Sequence, residues 1–403
     1  MDEYIPDQLH MDKSVSDFLE LLKSFINEKK PMIDEPVDWK RVFQHAKVNS
    51  ITGIIGYMIM KYDLADSEEI DYLSRKECTD TVGMTMRRIA QADCLIKKLT
   101  QENIDVLVTK GYIVRQCYPE PRLRTFGDID FLIHDDDREK SHRLMQEYGY
   151  TVKSDWEPVY TYKRDTEFYE LHTELMDLDF GESRKTIEYF KNAWDYAINT
   201  EDHLYSLKPE YHLIYLMAHL AKHIISSGAG IRMYMDIALF IKCYSREIDW
   251  KFVRKQFELL QLEQYADYIF SAVECWFDVS CPAHGQTGDR ILDNMLDEIV
   301  AGGTFGNETM DLGTLKMKRN IRETGSESKI AALVNMVFPP VSSLKRRYTY
   351  LDKYPFLLPA AWVHRIIVNR KKIGFELKTV QKIARTDMRK VSDTGNSDEK
   401  IGL

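Results

Sequence analysis

The sequence predicts an α+β fold, a small mixed sheet with flanking helices set between helical regions at either end. Three observations point there. Apolar residues recur at helical spacing through residues 15–100 and again from 204 to about 299. The stretch between them is a succession of short β-branched and aromatic runs punctuated by Gly and Pro. The chain has 403 residues, 44% of them hydrophobic and 30% charged, which is enough to bury a full core and excludes general disorder.

The elements follow in order. Phe18, Leu21, Leu22, Phe25 and Ile26 share one helical face, and Glu68 to Leu99 keeps an apolar period without Pro, so residues 12–101 form an N-terminal helical region. The run Ile104 to Thr109, closed by Lys110-Gly111, reads as strand and turn, with Tyr112 to Cys117 a short helix ended by Pro119 and Pro121. Gly127-Asp-Ile-Asp-Phe-Leu-Ile is a second strand, followed by a helix from the Asp135 run to Tyr148, ended by Gly149. Extended runs at Tyr150–Lys153, Val159–Lys163 and Glu167–Leu175 complete a core over 102–203. Helical period returns in Tyr211–Ile225, Ile231–Cys243 and Trp250–Phe277, giving a helical domain over 204–300. Residues 301–391 form a basic, helical C-terminal region and 392–403 a disordered tail. Within that region, Ala301 to Gly306 is a connector: no strand feeds it and no Gly-Lys-Ser/Thr follows, as a phosphate loop requires.

Net charge is −9 and the pI near 5.7, which argues against a protein that coats nucleic acid through a general excess of Lys and Arg. Residues 341–390 nevertheless hold thirteen Lys/Arg against three acids. A solvated face or internal packing is the plainest account of this segment; an anionic partner or a membrane surface is the next, and nucleic acid is disfavoured. The start carries no basic and apolar signal segment, no uncharged stretch is long enough to span a bilayer, and the six cysteines include no Cys-x-x-Cys. A cytoplasmic protein with reduced thiols is expected.

Alternate residues of a strand share a face, so Asp128 and Asp130 project together. Two like charges on a mostly apolar strand repel, and a divalent cation would relieve the repulsion. Upstream, Lys110-Gly111 stands where a glycine lets backbone N–H groups face a phosphate. Downstream, Glu170 can supply a third carboxylate from an adjacent strand. His172, two residues on, shares its face as a supporting partner or a core histidine. His219 and His223 lie at i, i+4 without the Glu of a His-Glu-x-x-His zinc motif; helix packing and lining of a cleft are the competing readings. Arg232 and Asp236, also i, i+4, read as a helix ion pair.

The ordered set of glycine turn, hydrophobic-Asp-hydrophobic-Asp strand and lone strand acid resembles the DNA polymerase beta-like nucleotidyltransferase superfamily. More narrowly, it is similar to the bacterial group called nucleotidyltransferase family 5. The resemblance includes Lys110-Gly111, Tyr118-Pro-Glu-Pro-Arg122, Arg124 to Asp130, Leu171-His172, His219 to His223, Arg232 to Asp236 and Asp249-Trp250, and more loosely Phe338-Pro-Pro and Tyr348 to Arg365. It implies transfer of a nucleoside monophosphate from an NTP to an acceptor hydroxyl or phosphate on a small molecule, glycan precursor or peptide, using two Mg²⁺ (or Mn²⁺) ions. Asp128, Asp130 and Glu170 would be catalytic and metal-binding, and Lys110, Gly111, Arg124, His223 and Arg232 would bind the nucleotide. One departure stands out: Tyr112 follows Gly111 where the superfamily has a small or hydroxyl residue. It raises one alternative, a catalytically weak binding protein of the same fold; another, an RNA-directed nucleotidyltransferase of the same superfamily, is disfavoured by the overall acidity and the lack of an aromatic-rich platform in the sheet. Since the sheet offers the carboxylates and phosphate transfer needs a second wall to exclude water, the substrate cleft is expected between the sheet and the helical domain, with His223 and Arg232 facing the aspartates.

Overall fold

The computed structural model describes residues 12–156, 158–176, 184–226 and 228–282, with 296, 299–300, 303, 338, 341–344, 348 and 350–368 beyond them. The connector expected over Ala301 to Gly306, Gly303 apart, lies outside the described residues, as do the basic residues after 368 and the tail expected from 392.

Four helices lead: α1 (Lys13–Asn27), α2 (Trp39–Val48), α3 (Thr52–Tyr62) and the 34-residue α4 (Glu68–Gln101). Asp12, Asp38 and Ser67 cap α1, α2 and α4, each side chain accepting from a backbone N–H of the first turn. The sheet then forms from β1 (Val106–Val108), β2 (Ile129–Leu132), β3 (Thr151–Trp156), β4 (Val159–Arg164), β5 (Glu167–His172), β6 (Ala197–Glu201) and β7 (Leu204–Leu207). Its order is β3-β4-β5-β2-β1-β7-β6, with β1 antiparallel to β2 and parallel to β7, and β2 parallel to β5. Short helices α5 (Lys110–Val114), α6 (Arg138–Glu147) and α7 (Arg184–Phe190) connect the strands. A helical layer follows: α8 (Pro209–Ser226), α9 (Ile231–Tyr244), α10 (Trp250–Leu260) and α11 (Glu263–Phe277). This is the expected α+β architecture with a mixed sheet.

The two faces of the sheet meet different layers because side chains alternate along each strand. Val106, Val108, Ile129, Phe131, Tyr169 and Leu171 pack with Ala92, Leu95, Ile96 and Leu99 of α4 and Met145 of α6. Leu107 and Leu132 turn the other way, into the larger core formed with α1–α3 and α8–α11. Asp130 and Glu170 share that second face by the same alternation.

The structure departs from the sequence reading in three places. Leu204–Leu207, where helical period was expected to resume, is the strand β7, lying parallel to β1 with Val106 beside Leu204; four residues are too few to show a period. The helix expected over Trp250–Phe277 is two helices. Gln261 takes a left-handed conformation at φ 61°, and the N–H of Leu262 returns to the Phe257 carbonyl at 2.9 Å, closing the helix with no Gly or Pro to mark it. Finally, the N-terminal helices share the core of the C-terminal layer: Asn27 Nδ2 donates to the Phe277 carbonyl at 2.6 Å and Lys242 Nζ to that of Ile26 at 2.5 Å. Among the described residues, no helix is long and apolar enough to cross a membrane.

Helices α3 and α4 approach so closely that a Cβ on Gly56 would sit 2.4 Å from the Ser74 carbonyl oxygen, whereas one on Gly83 would meet nothing within 4 Å. Gly56→Ala is therefore expected to destabilise by about 1–3 kcal/mol through overpacking. Gly83→Ala, at an open mid-helix position, should stabilise by about 0.5–1 kcal/mol. Thermal unfolding of the two variants beside the parent protein checks both signs.

Candidate active site

The carboxylates come together through strand register. Along the parallel pair β2–β5, Asp130 lies opposite Glu170 and Leu132 opposite His172. Asp128 immediately precedes β2, two residues from Asp130. Arg88 of α4 steadies the entry to both strands, giving Nη1 to the Gly127 carbonyl at 2.9 Å and Nη2 to that of Thr166 at 3.0 Å.

The two aspartates are not equivalent. Asp130 is buried, and its Oδ1 accepts from Lys110 Nζ at 2.8 Å and from His172 Nε2 at 2.9 Å. Burial alone would raise its pKa, but Lys110 and His172 outweigh that and hold it well below the usual carboxylate range. Asp128 keeps solvent access at the edge of the site yet is crowded by protein. The crowding, with the charges of Asp130 and Glu170, pushes its pKa up to about 6. The mutual repulsion expected of both aspartates thus falls on Asp128, because Lys110 neutralises Asp130. His172 Nε2 also lies 3.5 Å from Glu170 Oε2; burial would lower the imidazole's pKa, and the hydrogen bonds to Asp130 and Glu170 raise it instead. Asp130, Glu170 and His172 each offer one ligand atom, all within 4.8 Å of one another.

Lys110 is held in an uncommon backbone conformation, φ 47°, at the turn from β1 into α5. Its N–H donates to Nε2 of His212 on α8 at 3.1 Å, and its ammonium lies 5.8 Å from the centre of the Tyr215 ring. Burial lowers the His212 pKa to about 3, so the imidazole stays neutral and can accept that bond. The sequence reading missed His212. A signal was present: His212, His219 and His223 stand at i, i+7 and i+11, one face of one helix.

A second buried cluster sits behind the turn. Arg124 grips Asp236 of α9 with Nη2–Oδ2 at 2.7 Å and Nε–Oδ1 at 3.3 Å, and the Tyr118 hydroxyl donates to Asp236 Oδ1 at 2.6 Å. The i, i+4 pairing expected between Arg232 and Asp236 is therefore replaced: Asp236 serves Arg124, and Arg232 Nη1 donates to Thr125 Oγ1 at 2.9 Å. Among the described residues Arg232 forms no ion pair, and its buried Nε meets no hydrogen-bond partner. The positive φ of this turn belongs to Lys110 and not to Gly111. A Cβ on Gly111 would come 2.2 Å from Arg124 Nη1, so the missing side chain makes room for the guanidinium.

Residues 35–278, from before α2 to the end of α11, match a family described as uncharacterised nucleotidyltransferase. The chain belongs to that nucleotidyltransferase family. No curated protein and no solved structure gives a match.

Seen in this nucleotidyltransferase, Tyr112 is no obstruction. Its ring packs into the core on the α4 side, its hydroxyl donates to Asp93, and the Arg115 guanidinium lies 4.6 Å over it. The carboxylates project from the opposite face. On α8, Nε2 of His219 and Nε2 of His223 are 3.2 Å apart. Burial and the charge of Lys110 lower both pKa values, that of His223 to about 4, while Asp130 opposes the shift at His223. Arg232 likewise feels Asp128. His219 and His223 are thus coupled electrostatically to Lys110, and Arg232 to Asp128.

Two measurements check this description. Asp236→Ala leaves Arg124 buried without its counter-charge and is expected to cost about 3–5 kcal/mol of stability, read by denaturant unfolding. Asp128 behaves oppositely, because its folded-state pKa of about 6 stands above the ordinary 3.8. The folded state then binds the extra proton between those values, and the stability this contributes is lost as pH rises toward 6. In EDTA, Asp128→Asn should melt above the parent protein at pH 7 and level with it near pH 4.

Proposed function

We propose that this nucleotidyltransferase moves a nucleoside monophosphate from an NTP to an acceptor hydroxyl or phosphate, releasing pyrophosphate, with Mg²⁺ or Mn²⁺ as cofactor. The acceptor class is a small molecule, glycan precursor or peptide. The observation that carries the reading is the register of β2 and β5, which sets Glu170 directly beside Asp130 with Asp128 two residues away. Three carboxylates on one face suit a divalent cation, whose positive charge would offset the charge that builds on the transferred phosphoryl group.

The chain's own groups have distinct parts in this reading. Asp128, Asp130 and Glu170 would hold the metal, and Glu170, the more accessible partner in the Asp130–Glu170 pair, would also orient the acceptor and receive its proton. Lys110 keeps Asp130 ionised and offers its remaining ammonium protons to a phosphate oxygen. Arg232, which forms no ion pair among the described residues, is the second cation for the triphosphate in this reading. His219 and His223 stay neutral near pH 7 and can give or take hydrogen bonds without adding charge. Arg124 is saturated by Asp236, so it shapes the segment from Thr125 to Asp128 more than it meets substrate. The Tyr112 side chain packs on the α4 side and leaves this face open, and Lys110, in place of a hydroxyl after Gly111, is the phosphate contact of the turn in this reading.

The test is pyrophosphate release and thermal shift with each of the four NTPs and Mg²⁺ or Mn²⁺. One NTP is expected to raise Tm in a metal-dependent way. Asp128→Asn and Asp130→Asn should abolish turnover, and Glu170→Gln should lower kcat by about 10²–10⁴-fold with a smaller effect on NTP affinity. A protein whose melting responds to no NTP in either metal would overturn the reading.

A further inference from the structure

We propose that His172 is itself a ligand of the catalytic ion, and that its nitrogen makes the site select Mn²⁺ over Mg²⁺. This rests on the nucleotidyl-transfer reading above and deepens it by naming the ion and an added ligand.

The geometry of β5 carries the argument. Glu170 and His172 are two residues apart on one face, so the strand delivers a carboxylate and an imidazole to the same place. His172 Nε2 lies 2.9 Å from Asp130 Oδ1 and 3.5 Å from Glu170 Oε2. Neighbouring ligands around a six-coordinate ion with bonds of about 2.1 Å are themselves separated by roughly 3.0 Å. The nitrogen is therefore spaced from Asp130 Oδ1 as an adjacent ligand would be, with Glu170 Oε2 about half an ångström wider, and all three ligand atoms fall within 4.8 Å. Lys110 does not stand in the way. A carboxylate oxygen has two acceptor positions: Lys110 occupies one of those on Oδ1, and the ion would take the other in place of the proton that His172 Nε2 now directs there, so binding releases that proton. The imidazole is buried and presents Nε2 to both carboxylates, so it adds a nitrogen donor to a cluster that carboxylates alone would leave purely oxygen-lined.

Donor chemistry then sets the ion. Mg²⁺ favours carboxylate, phosphate and water oxygens, whereas an imidazole nitrogen favours first-row transition ions. The three carboxylates with one imidazole, and phosphate oxygens completing the shell, form a mixed set that Mn²⁺ accepts and Mg²⁺ accepts less readily.

Pulsed EPR of Mn²⁺ added to the purified full chain, without nucleotide, tests the proposal directly. The expected result is ¹⁴N modulation from a coordinated imidazole, lost in His172→Asn and kept in His223→Gln. Calorimetry should show Mn²⁺ affinity falling about tenfold or more in His172→Asn while Mg²⁺ affinity changes much less. Mn²⁺ that binds, needs Asp128 and shows no ¹⁴N coupling in the unmutated protein would overturn the proposal and leave the nucleotidyl-transfer reading standing. His172 would then be a hydrogen-bonding support for Asp130. Equal losses for Mn²⁺ and Mg²⁺ in His172→Asn would likewise overturn the selectivity. If neither ion binds the unmutated protein, in the presence or absence of NTP, the metal-dependent reading falls as well. The spectrum of the unmutated protein decides the question even where His172→Asn fails to fold.

Discussion

A carboxylate buried in a sheet needs a cation, and the contact between Lys110 Nζ and Asp130 Oδ1 at 2.8 Å is the constraint around which the rest of the site is arranged. Removing one partner of such a pair strands the other charge in a medium that solvates it poorly. The antiparallel register of Val108 with Phe131 brings the end of β1 beside Asp130. The left-handed turn at Lys110 then directs the ammonium to the carboxylate, and His212 holds that turn by accepting its N–H. Local backbone strain of this kind, of the order of 1–3 kcal/mol, persists only where surrounding contacts over-determine it. Here those contacts come from a helix about a hundred residues further along the chain, so the sheet alone does not define the position of Lys110.

The pair between Arg124 and Asp236 does for the approach to β2 what Lys110 does for its middle. Both groups are buried, the geometry is two-pronged, and Tyr118 fills a remaining acceptor position on Asp236. Through it α9 is fastened to the segment that carries Thr125, Gly127 and Asp128. Arg88 grips the same segment from α4 on the other side. The aspartate pair is thus held from both layers, while Asp128 itself retains solvent access.

Much of the site could be read from residue types at short spacing. The alternation of Asp128, Ile129, Asp130 and Phe131 places both acids on one face, and a strand pattern around Glu170 makes it the third carboxylate. Pairings decided by distant parts of the chain could not be read this way. Arg232 and Asp236 have ideal helical spacing, yet Asp236 turns to an arginine more than a hundred positions earlier because Arg124 approaches flat over Gly111 and can make two bonds. The glycine was legible as special and the reason for it was not. Likewise β7 is too short to declare itself, and the break at Gln261 rests on a backbone bond that any residue can make. The helical regions were legible as elements but not as one core.

That shared core has a consequence for how the chain comes to fold as it is made. Asn27 is bonded to the carbonyl of Phe277, and β1 finds its parallel neighbour only at Leu204. The first four helices therefore leave the ribosome with an apolar face whose natural cover, α8 to α11, is still unsynthesised. At roughly 5–20 residues per second that interval is about ten seconds or more. Contacts of such long sequence separation also make closure slow once the whole chain is available, since the intervening loop must be ordered before the packing rewards it. During synthesis the exposed face of α1 is the surface a chaperone would meet first.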